Sequence, residues 1–275
     1  MTRLAYAGII ESSGLSASQR HDGLFWTHND SGGGPKLYLF DKEGTHLGIA
    51  HVLGAKANDW EDMAIGPCDA DGNRSCIYIG DFGDNNAERA SVQLYKFPEP
   101  DLPEERPATV GIESWERIEF QYPDGARDAE SLMVHPGSAE IFVVGKYGEH
   151  GPTVYRVPNE ATKKDETATA NKLAELASVT GFGSYATGAD ISPDGREFSL
   201  RTYVKVYTFC ADEEEDFETA FENEPVISHP RLTIQSEALA YSPDGNHLWF
   251  TSEGKRPPLI RMERIDDTET GVTKE

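Results

Sequence analysis

Residues 130–157 read ESLMVHPGSAEIFVVGKYGEHGPTVYRV. This stretch contains three apolar runs of strand length, ESLMV, EIFVVG and TVYRV, and a His-Pro-Gly-Ser turn separates the first two. Similar sets of short apolar runs recur along the chain, with turn residues between them. A repeat made only of strands, at a period of roughly 40 to 50 residues, is typical of a β-propeller.

Each copy of the repeat opens with an oxygen-bearing side chain followed by apolar residues. We align the five first strands as SSGLS at Ser12, EDMAI at Glu61, ESLMV at Glu130, TGADI at Thr187 and EALAY at Glu237. The fifth copy has no fourth strand after it. An N-terminal strand over residues 4–10, LAYAGII, would complete that blade, close the ring and remove the exposed sheet edge.

The sequence therefore predicts an all-β fold, a five-bladed β-propeller closed by the N-terminal strand. One domain would span residues 1–275, with a polar tail from about residue 266. Six blades are the alternative, if the long step from Glu61 to Glu130 hides another blade. Residues 98–107 within that step are rich in proline and acidic side chains, which favours an insertion in a five-bladed ring.

The composition excludes several classes of partner. The net charge is −23, which argues against nucleic acid and against anionic membrane surfaces. No apolar stretch approaches the length that crosses a bilayer. We expect a monomer that binds a small, phosphorylated molecule, or a surface glycan or protein.

The three cysteines bear on the cellular compartment. Cys68 and Cys76 flank a predicted hairpin turn, which would bring them within bridging distance. A disulfide and a pair of reduced thiols both remain open, with Cys210 left over. A disulfide would indicate a secreted or periplasmic protein whose signal peptide is absent from this sequence, and a cytoplasmic protein is the alternative.

The repeat brings carboxylates to the propeller axis. Glu61, Glu130 and Glu237 would repel one another there unless they are protonated or neutralised. Ca²⁺ takes six to eight oxygen ligands, and a wide ring suits it better than Mg²⁺. We therefore predict Ca²⁺ bound by these three glutamates, with Ser12 and Thr187 as further ligands. The alternative is a salt-bridged network with Arg127, Lys146, Arg201 and Lys255.

The second strands end on the same face, because strand direction alternates within a blade. These ends supply the candidate catalytic residues. Lys146 and Arg201 would bind phosphoryl oxygens, and His28, Asp30 or Asp81 would position or deprotonate water. A structural histidine hydrogen-bonded beside the channel is an equally open interpretation of His28.

The layout resembles the calcium-activated nucleotidases, apyrase-type propellers with Ca²⁺ in a central tunnel. The stretch SGGGPKLYLFDKEG resembles a hairpin of the β-propeller phytases, which are six-bladed calcium enzymes. WTHNDSG, DWEDMAIGP and GDFGDNN are similar to bacterial propellers known only as phytase-like proteins. These resemblances imply a calcium-dependent hydrolase of phosphate esters or anhydrides, and lactone or ester hydrolysis is a variant.

A binding module is the alternative from a different class of function. Trp60, Tyr147 and Tyr203 would then recognise a glycan, peptide or partner protein, and the metal would hold the blades in register.

Overall fold

The computed structural model describes residues 1–30, 32–163, 166–231, 233 and 235–264, which form twenty-two strands and the short 3-10 helix Phe217–Phe221. The predicted polar tail begins at about residue 266 and lies outside the described residues. The first eleven strands are β1 Thr2–Arg3, β2 Ser12–Ala17, β3 Leu24–Asn29, β4 Lys36–Asp41, β5 His46–Val52, β6 Trp60–Pro67, β7 Ser75–Asp81, β8 Val92–Pro98, β9 Ala108–Ile112, β10 Glu116–Gln121 and β11 Ala129–Val134. The others are β12 Ile141–Gly145, β13 Thr153–Val157, β14 Ala168–Thr169, β15 Asn171–Glu175, β16 Ala186–Ile191, β17 Glu197–Thr202, β18 Val206–Cys210, β19 Val226–Ser228, β20 Ser236–Tyr241, β21 His247–Ser252 and β22 Pro258–Glu263.

The strands form five sheets, and each sheet is one blade. In chain order the blades are β2-β3-β4-β5-β9, β6-β7-β8-β10-β14, β11-β12-β13-β15, β16-β17-β18-β19 and β20-β21-β22-β1. The first strand of each blade (β2, β6, β11, β16 and β20, the inner strands) contacts the inner strands of both neighbouring blades. The five-bladed prediction is confirmed, and the six-bladed alternative is wrong.

The insertion between β8 and β10, two strands of the second blade, does not form a blade of its own. Its strand β9 instead pairs in parallel with β5 and widens the first blade to five strands. The acidic, proline-rich stretch before β9 lies in a connection, as its composition indicates.

The N-terminus closes the ring, but not through the predicted residues. Thr2 and Arg3 pair antiparallel with β22, whereas residues 4–10 were expected to do so. Leu4 and Ile9 are fully buried in an apolar cluster between the fifth and first blades. The apolar pattern of this segment therefore reflects burial in a turn and not a strand.

The core is divided among the seams between blades. Each apolar cluster joins two neighbouring blades, and large aromatic side chains such as Tyr78, Phe142, Tyr155 and Tyr207 fill them. Burying such a side chain stabilises the fold by about 1.5–3 kcal/mol. The structure also joins Cys68 and Cys76 by a disulfide, across the hairpin where the sequence left the question open. Among the described residues, no helix is long and apolar enough to cross a membrane.

One carboxylate closes the propeller axis. Asp62, on β6, is fully buried, and its Oδ2 accepts hydrogen bonds from the backbone N–H groups of Leu132 (2.8 Å) and Ala189 (3.3 Å). Its Oδ1 accepts a third from Met63 N–H at 2.8 Å. These donors belong to the second, third and fourth blades, so a single side chain reaches across the centre of the ring. Burial raises the pKa of Asp62 well above its usual value.

Replacing this carboxylate should destabilise the whole propeller. We expect Asp62→Ala to lower the free energy of unfolding by about 3 kcal/mol, because buried N–H groups on three strands lose their acceptor. Urea unfolding followed by tryptophan fluorescence measures the change. The matched control, Asp22→Ala, removes an exposed carboxylate and should change stability by less than about 0.5 kcal/mol. Equal stability of the two variants would contradict the role of Asp62.

Candidate metal centre

All five inner strands carry a β-bulge at the same place. A bulge bends a strand and redirects its side chains, and bulges are frequent beside functional sites. The register shifts lie between Ser12 and Leu15, Trp60 and Met63, Ala129 and Ser131, Ala186 and Gly188, and Ser236 and Leu239. Aligned on these bulges, the equivalent residues are Ser13, Glu61, Glu130, Thr187 and Glu237.

The structure corrects the register of the first repeat by one residue. Ser12 is not a member of the ring, because its hydroxyl is buried between those of Thr27 (2.7 Å) and Thr251 (2.8 Å) and joins the first and fifth blades. Ser13 takes the ring position. Its hydroxyl donates to the backbone carbonyl of Glu61 on the next inner strand.

Thr187 plays a similar part on the fourth blade. Its hydroxyl lies 2.9 Å from the carbonyl oxygen of Ser236 and 3.2 Å from that of Glu237. The hydroxyl members of the ring therefore donate their protons to neighbouring strands. The carboxylate members are the ring residues whose clustered oxygens could hold a cation.

The three ring glutamates are nearly fully buried, and further carboxylates surround them. Ligand oxygens lie within 4.8 Å of one another in two triads, Asp30–Asp59–Glu61 and Glu61–Asp128–Glu130. Glu61 belongs to both triads. We call the whole set the acidic cluster, which comprises Asp30, Asp59, Glu61, Asp128, Glu130, Glu237 and Glu253.

Burial and mutual repulsion raise the pKa values of this cluster. Burial raises the pKa of Glu61 well above its usual value, and the charge of Glu130 raises it further. The pKa of Glu237 rises to about 9 through burial and then through Glu130 and Glu253. Burial also raises the pKa of Asp59 to about 6, with the charge of Asp30 as the next cause. The folded chain thus holds these carboxylates together at an electrostatic cost.

Lys146 offsets part of that cost. Its ammonium contacts Glu130 Oε1 and lies 3.4 Å from Asp128 Oδ2. Burial disfavours the charged ammonium, but the carboxylates outweigh burial and raise the pKa of Lys146. Glu130 Oε2 is buried and has no hydrogen-bond partner among the described residues. Lys146 therefore forms the ion pair with a ring glutamate that the predicted salt-bridged network requires. Arg127, another predicted member, instead pairs with Asp124, at 2.7 Å.

His28 does not lie at the open face. Its ring is fully buried in the seam between the first and second blades, edge-on to Trp60 with 5.6 Å between ring centroids. Nδ1 is 3.0 Å from the carbonyl oxygen of Asn29. Burial lowers the pKa of His28 to about 4, so the imidazole is neutral at physiological pH. These contacts fit the structural interpretation of His28.

Asp81 is a support for the site and does not face an opening. It is fully buried, and its carboxylate accepts hydrogen bonds from Asn58 Nδ2 (2.9 Å), Asp59 N–H (3.1 Å) and Gln93 Nε2 (2.9 Å). Arg89 adds an ion pair at 3.3 Å. The role of Asp81 is therefore to hold the loop that carries Asp59. Of the predicted water-activating residues, Asp30 is the one that the structure brings into the acidic cluster.

Arg201 is buried behind the cluster, where a substrate does not reach it. Its guanidinium lies 4.6 Å from the centroid of the Phe250 ring, and none of its nitrogens has a hydrogen-bond partner among the described residues. Burial lowers the pKa of Arg201 to about 10, while the charge of Glu237 opposes that change. The predicted phosphoryl contact of Arg201 is thus absent from this arrangement, and its charge acts on Glu237 from within the fold.

The predicted ligand set omits Asp59, Asp128 and Glu253. The first two stand two residues before Glu61 and Glu130, in the repeated pattern Asp-x-Glu. Both aspartates directly precede an inner strand, next to the bulge that carries the ring glutamate. The pattern Asp-x-Glu at the start of an inner strand, present in two of the five repeats, is the sequence signal that identifies them.

No protein-family model matches the chain, and no curated protein sequence matches it. Among solved structures, the chain is similar to a gluconolactonase from Xanthomonas campestris, XC5397, described as important in glucose secondary metabolic pathways. The identity is 11% and the TM-score 0.47, over 96% of this chain and 92% of that one. It is also similar to the Dos1 propeller, with 10% identity and a TM-score of 0.42, over 93% of this chain and 71% of that one. Both likenesses are of fold alone, and the resemblances to nucleotidases and phytases stay predictions.

The metal-free protein should lose stability as the pH rises. A carboxyl group whose folded pKa is raised stabilises the fold below its unfolded pKa, and this contribution disappears as pH passes the folded value. For Glu237 the loss runs from about 4.5 up to about 9. We expect a lower free energy of unfolding at pH 9 than at pH 6 in EDTA, measured by urea titration. Charges that act on Glu237 are those of Asp30, Glu130, Lys146, Arg201, Tyr203 and Glu253.

Glu237→Gln isolates this effect. The variant should reduce the difference in unfolding free energy between pH 6 and pH 9 by on the order of 2 kcal/mol. The control Glu43→Gln, in an exposed turn, should leave the difference unchanged. An unchanged pH dependence in Glu237→Gln would show that Glu237 is not held at a raised pKa.

Proposed function

We propose that the acidic cluster binds Ca²⁺ and that the protein is a metal-dependent hydrolase of phosphate esters or anhydrides. The observation that carries this proposal is the pair of acidic triads that share Glu61. Carboxylate oxygens are the ligands that hard divalent cations prefer, and the repulsion among these groups falls when a cation binds.

The donor set fits Ca²⁺ better than a smaller ion. The cluster offers more carboxylates than one octahedral Mg²⁺ needs, and Ca²⁺ accepts six to eight oxygens in flexible geometry. Asp30, Asp59, Glu61, Asp128 and Glu130 would hold the metal. Bound there, the ion would supply positive charge that stabilises the charge developing on a phosphoryl oxygen.

The chain's own residues have distinct parts in this proposal. Lys146 stays protonated beside Glu130 and would donate to a substrate oxygen at the edge of the cluster. Asp30, which is half-buried, would orient a water molecule. Asp81 and the buried Arg201 would support Asp59 and Glu237 without contacting the substrate.

Hydrolysis of a neutral lactone or ester is the second candidate. The acidic cluster carries many more carboxylates than cations, which disfavours a multiply charged anion until metal is bound. A neutral carbonyl substrate avoids this repulsion. The same metal site would serve either reaction, so substrate profiling decides between them.

Calcium should stabilise the native protein through Glu61. With Ca²⁺ at about one hundred times its dissociation constant, we expect the midpoint of EDTA-treated protein to rise by roughly 5–10 °C, and less with Mg²⁺. Glu61→Gln should lose this response, because Glu61 serves both triads. The same variant should be more stable than wild type in EDTA, since one repelled charge is gone. Glu43→Gln is the control, and differential scanning calorimetry is the measurement.

A retained calcium response in Glu61→Gln would refute the site. So would the absence of any response in wild-type protein whose stripping is verified by elemental analysis.

Hydrolysis should require both the metal and Lys146. We expect calcium-dependent release of phosphate from p-nitrophenyl phosphate or ATP, lower by about 100-fold in kcat in Lys146→Met. Lys42→Met, in an exposed hairpin turn, should behave as wild type. Parallel assays use p-nitrophenyl acetate and a δ-lactone. Activity on these compounds alone would assign the second candidate, and no calcium-dependent turnover of any of them would reject the enzymatic proposal.

A further inference from the structure

A cavity of about 470 Å³ lies next to the segment that follows Lys146. Two loops form it: the one that follows β12 and the one that precedes β16. Its lining begins at Tyr147, the residue after Lys146, so the cavity adjoins the side of the acidic cluster that carries the ammonium group. Its lining includes Tyr147, His150, Thr180, Ser184 and Tyr185.

A row of tyrosines runs from the acidic cluster to this cavity. Tyr203 lies near Glu237 and Glu130, and burial followed by those charges raises its pKa to about 12. The Tyr203 ring is 6.1 Å from that of Tyr185, and the Tyr185 ring is 6.0 Å from that of Tyr147, both edge to face. The row therefore connects the acidic cluster to the cavity through aromatic surface.

These aromatic side chains are unusually open to solvent. Tyr147 is 51% exposed and Tyr185 47%, and Phe182 at the tip of the same loop is 96% exposed. Gly181 and Gly183, with φ of +99° and +73°, flank Phe182 and hold the tip in a conformation that presents it to solvent. Covering such a ring removes apolar surface from water, so this surface favours a ligand that packs on it.

The cavity also offers unused polar groups. Ser184 Oγ is buried without a hydrogen-bond partner among the described residues, and Thr180 and His150 line the same space. An orphaned hydroxyl favours a ligand that brings its own hydroxyls. The neighbouring acidic cluster repels anions. A pyranose ring meets these three conditions. It is uncharged, its apolar faces can pack on tyrosine rings, and it carries hydroxyls at its edge.

We propose that this tyrosine-lined cavity is a binding site for a sugar ring. Binding of the sugar is independent of the metal. The consequence for catalysis, that the hydrolase acts on a sugar derivative whose reacting group lies at the acidic cluster, rests on the proposed function.

Saturation-transfer NMR with glucose, galactose, mannose and N-acetylglucosamine tests the site, in EDTA and again in Ca²⁺. We expect at least one of these sugars to bind under both conditions. Tyr185→Ala and Tyr147→Ala should each weaken it by about tenfold, because each removes an aromatic ring from the lining of the cavity. Tyr185→Phe keeps the ring and should bind as wild type. Ile227→Ala, which removes an exposed apolar side chain from β19, is the control for surface effects.

The outcomes separate this proposal from the preceding one. Sugar binding by wild-type protein that shows no calcium response would keep the sugar site and reject the metal site. A calcium response without binding of any of the four sugars would keep the metal site and reject the sugar site. Binding that persists in both alanine variants, or binding of choline with none of the sugars, would overturn the sugar site, because choline would identify a cation held by aromatic faces. Circular dichroism verifies that Tyr147→Ala and Tyr185→Ala, changes at half-exposed side chains, are folded.

Discussion

The carboxylate of Asp62 is the constraint on which the geometry of the site depends. It bonds to inner strands of three blades, including two that are not adjacent, and so fixes how closely the inner strands approach. Glu61, the preceding residue on the same strand, lies next to this fully buried carboxylate. The ring of bulges then brings the other ring carboxylates, Glu130 and Glu237, to the equivalent position on their strands.

The acidic cluster opposes the fold that contains it. Its carboxylates are buried together with Lys146 as the cation in direct contact, and their raised pKa values express the resulting cost. Strain of this kind at a shared position of a repeat is typical of a functional site. Asp81 shows that the arrangement is supported: a buried carboxylate with several donors holds the Asp59 backbone in place. A cation bound as proposed would offset this repulsion.

Much of the fold could be predicted from the sequence, because each blade repeats the same order of apolar runs and turns. Three features follow from that order: the blade count, the glutamates of the inner strands and the place of the insertion. The register of the first repeat does not, because Ser12 and Ser13 are identical in type and a bulge decides between them. His28 and Arg201 were assigned to the open face by strand direction alone. Their side chains turn into the seams between blades, which a pattern of alternating residues does not reveal.

The acidic cluster lies on inner strands, whereas the aromatic side chains beside it lie on loops. The inner strands are fixed by backbone and Asp62 contacts, so they can hold buried carboxylates at close range. The loops around Tyr147 and Tyr185 are free of those constraints, and glycines at Gly181 and Gly183 let one of them expose Phe182. Under the two proposals, recognition would fall to loops and ion binding to strands. A change of ligand would then require changes in the loops alone, while the acidic cluster and the Asp62 contacts that support it stay intact.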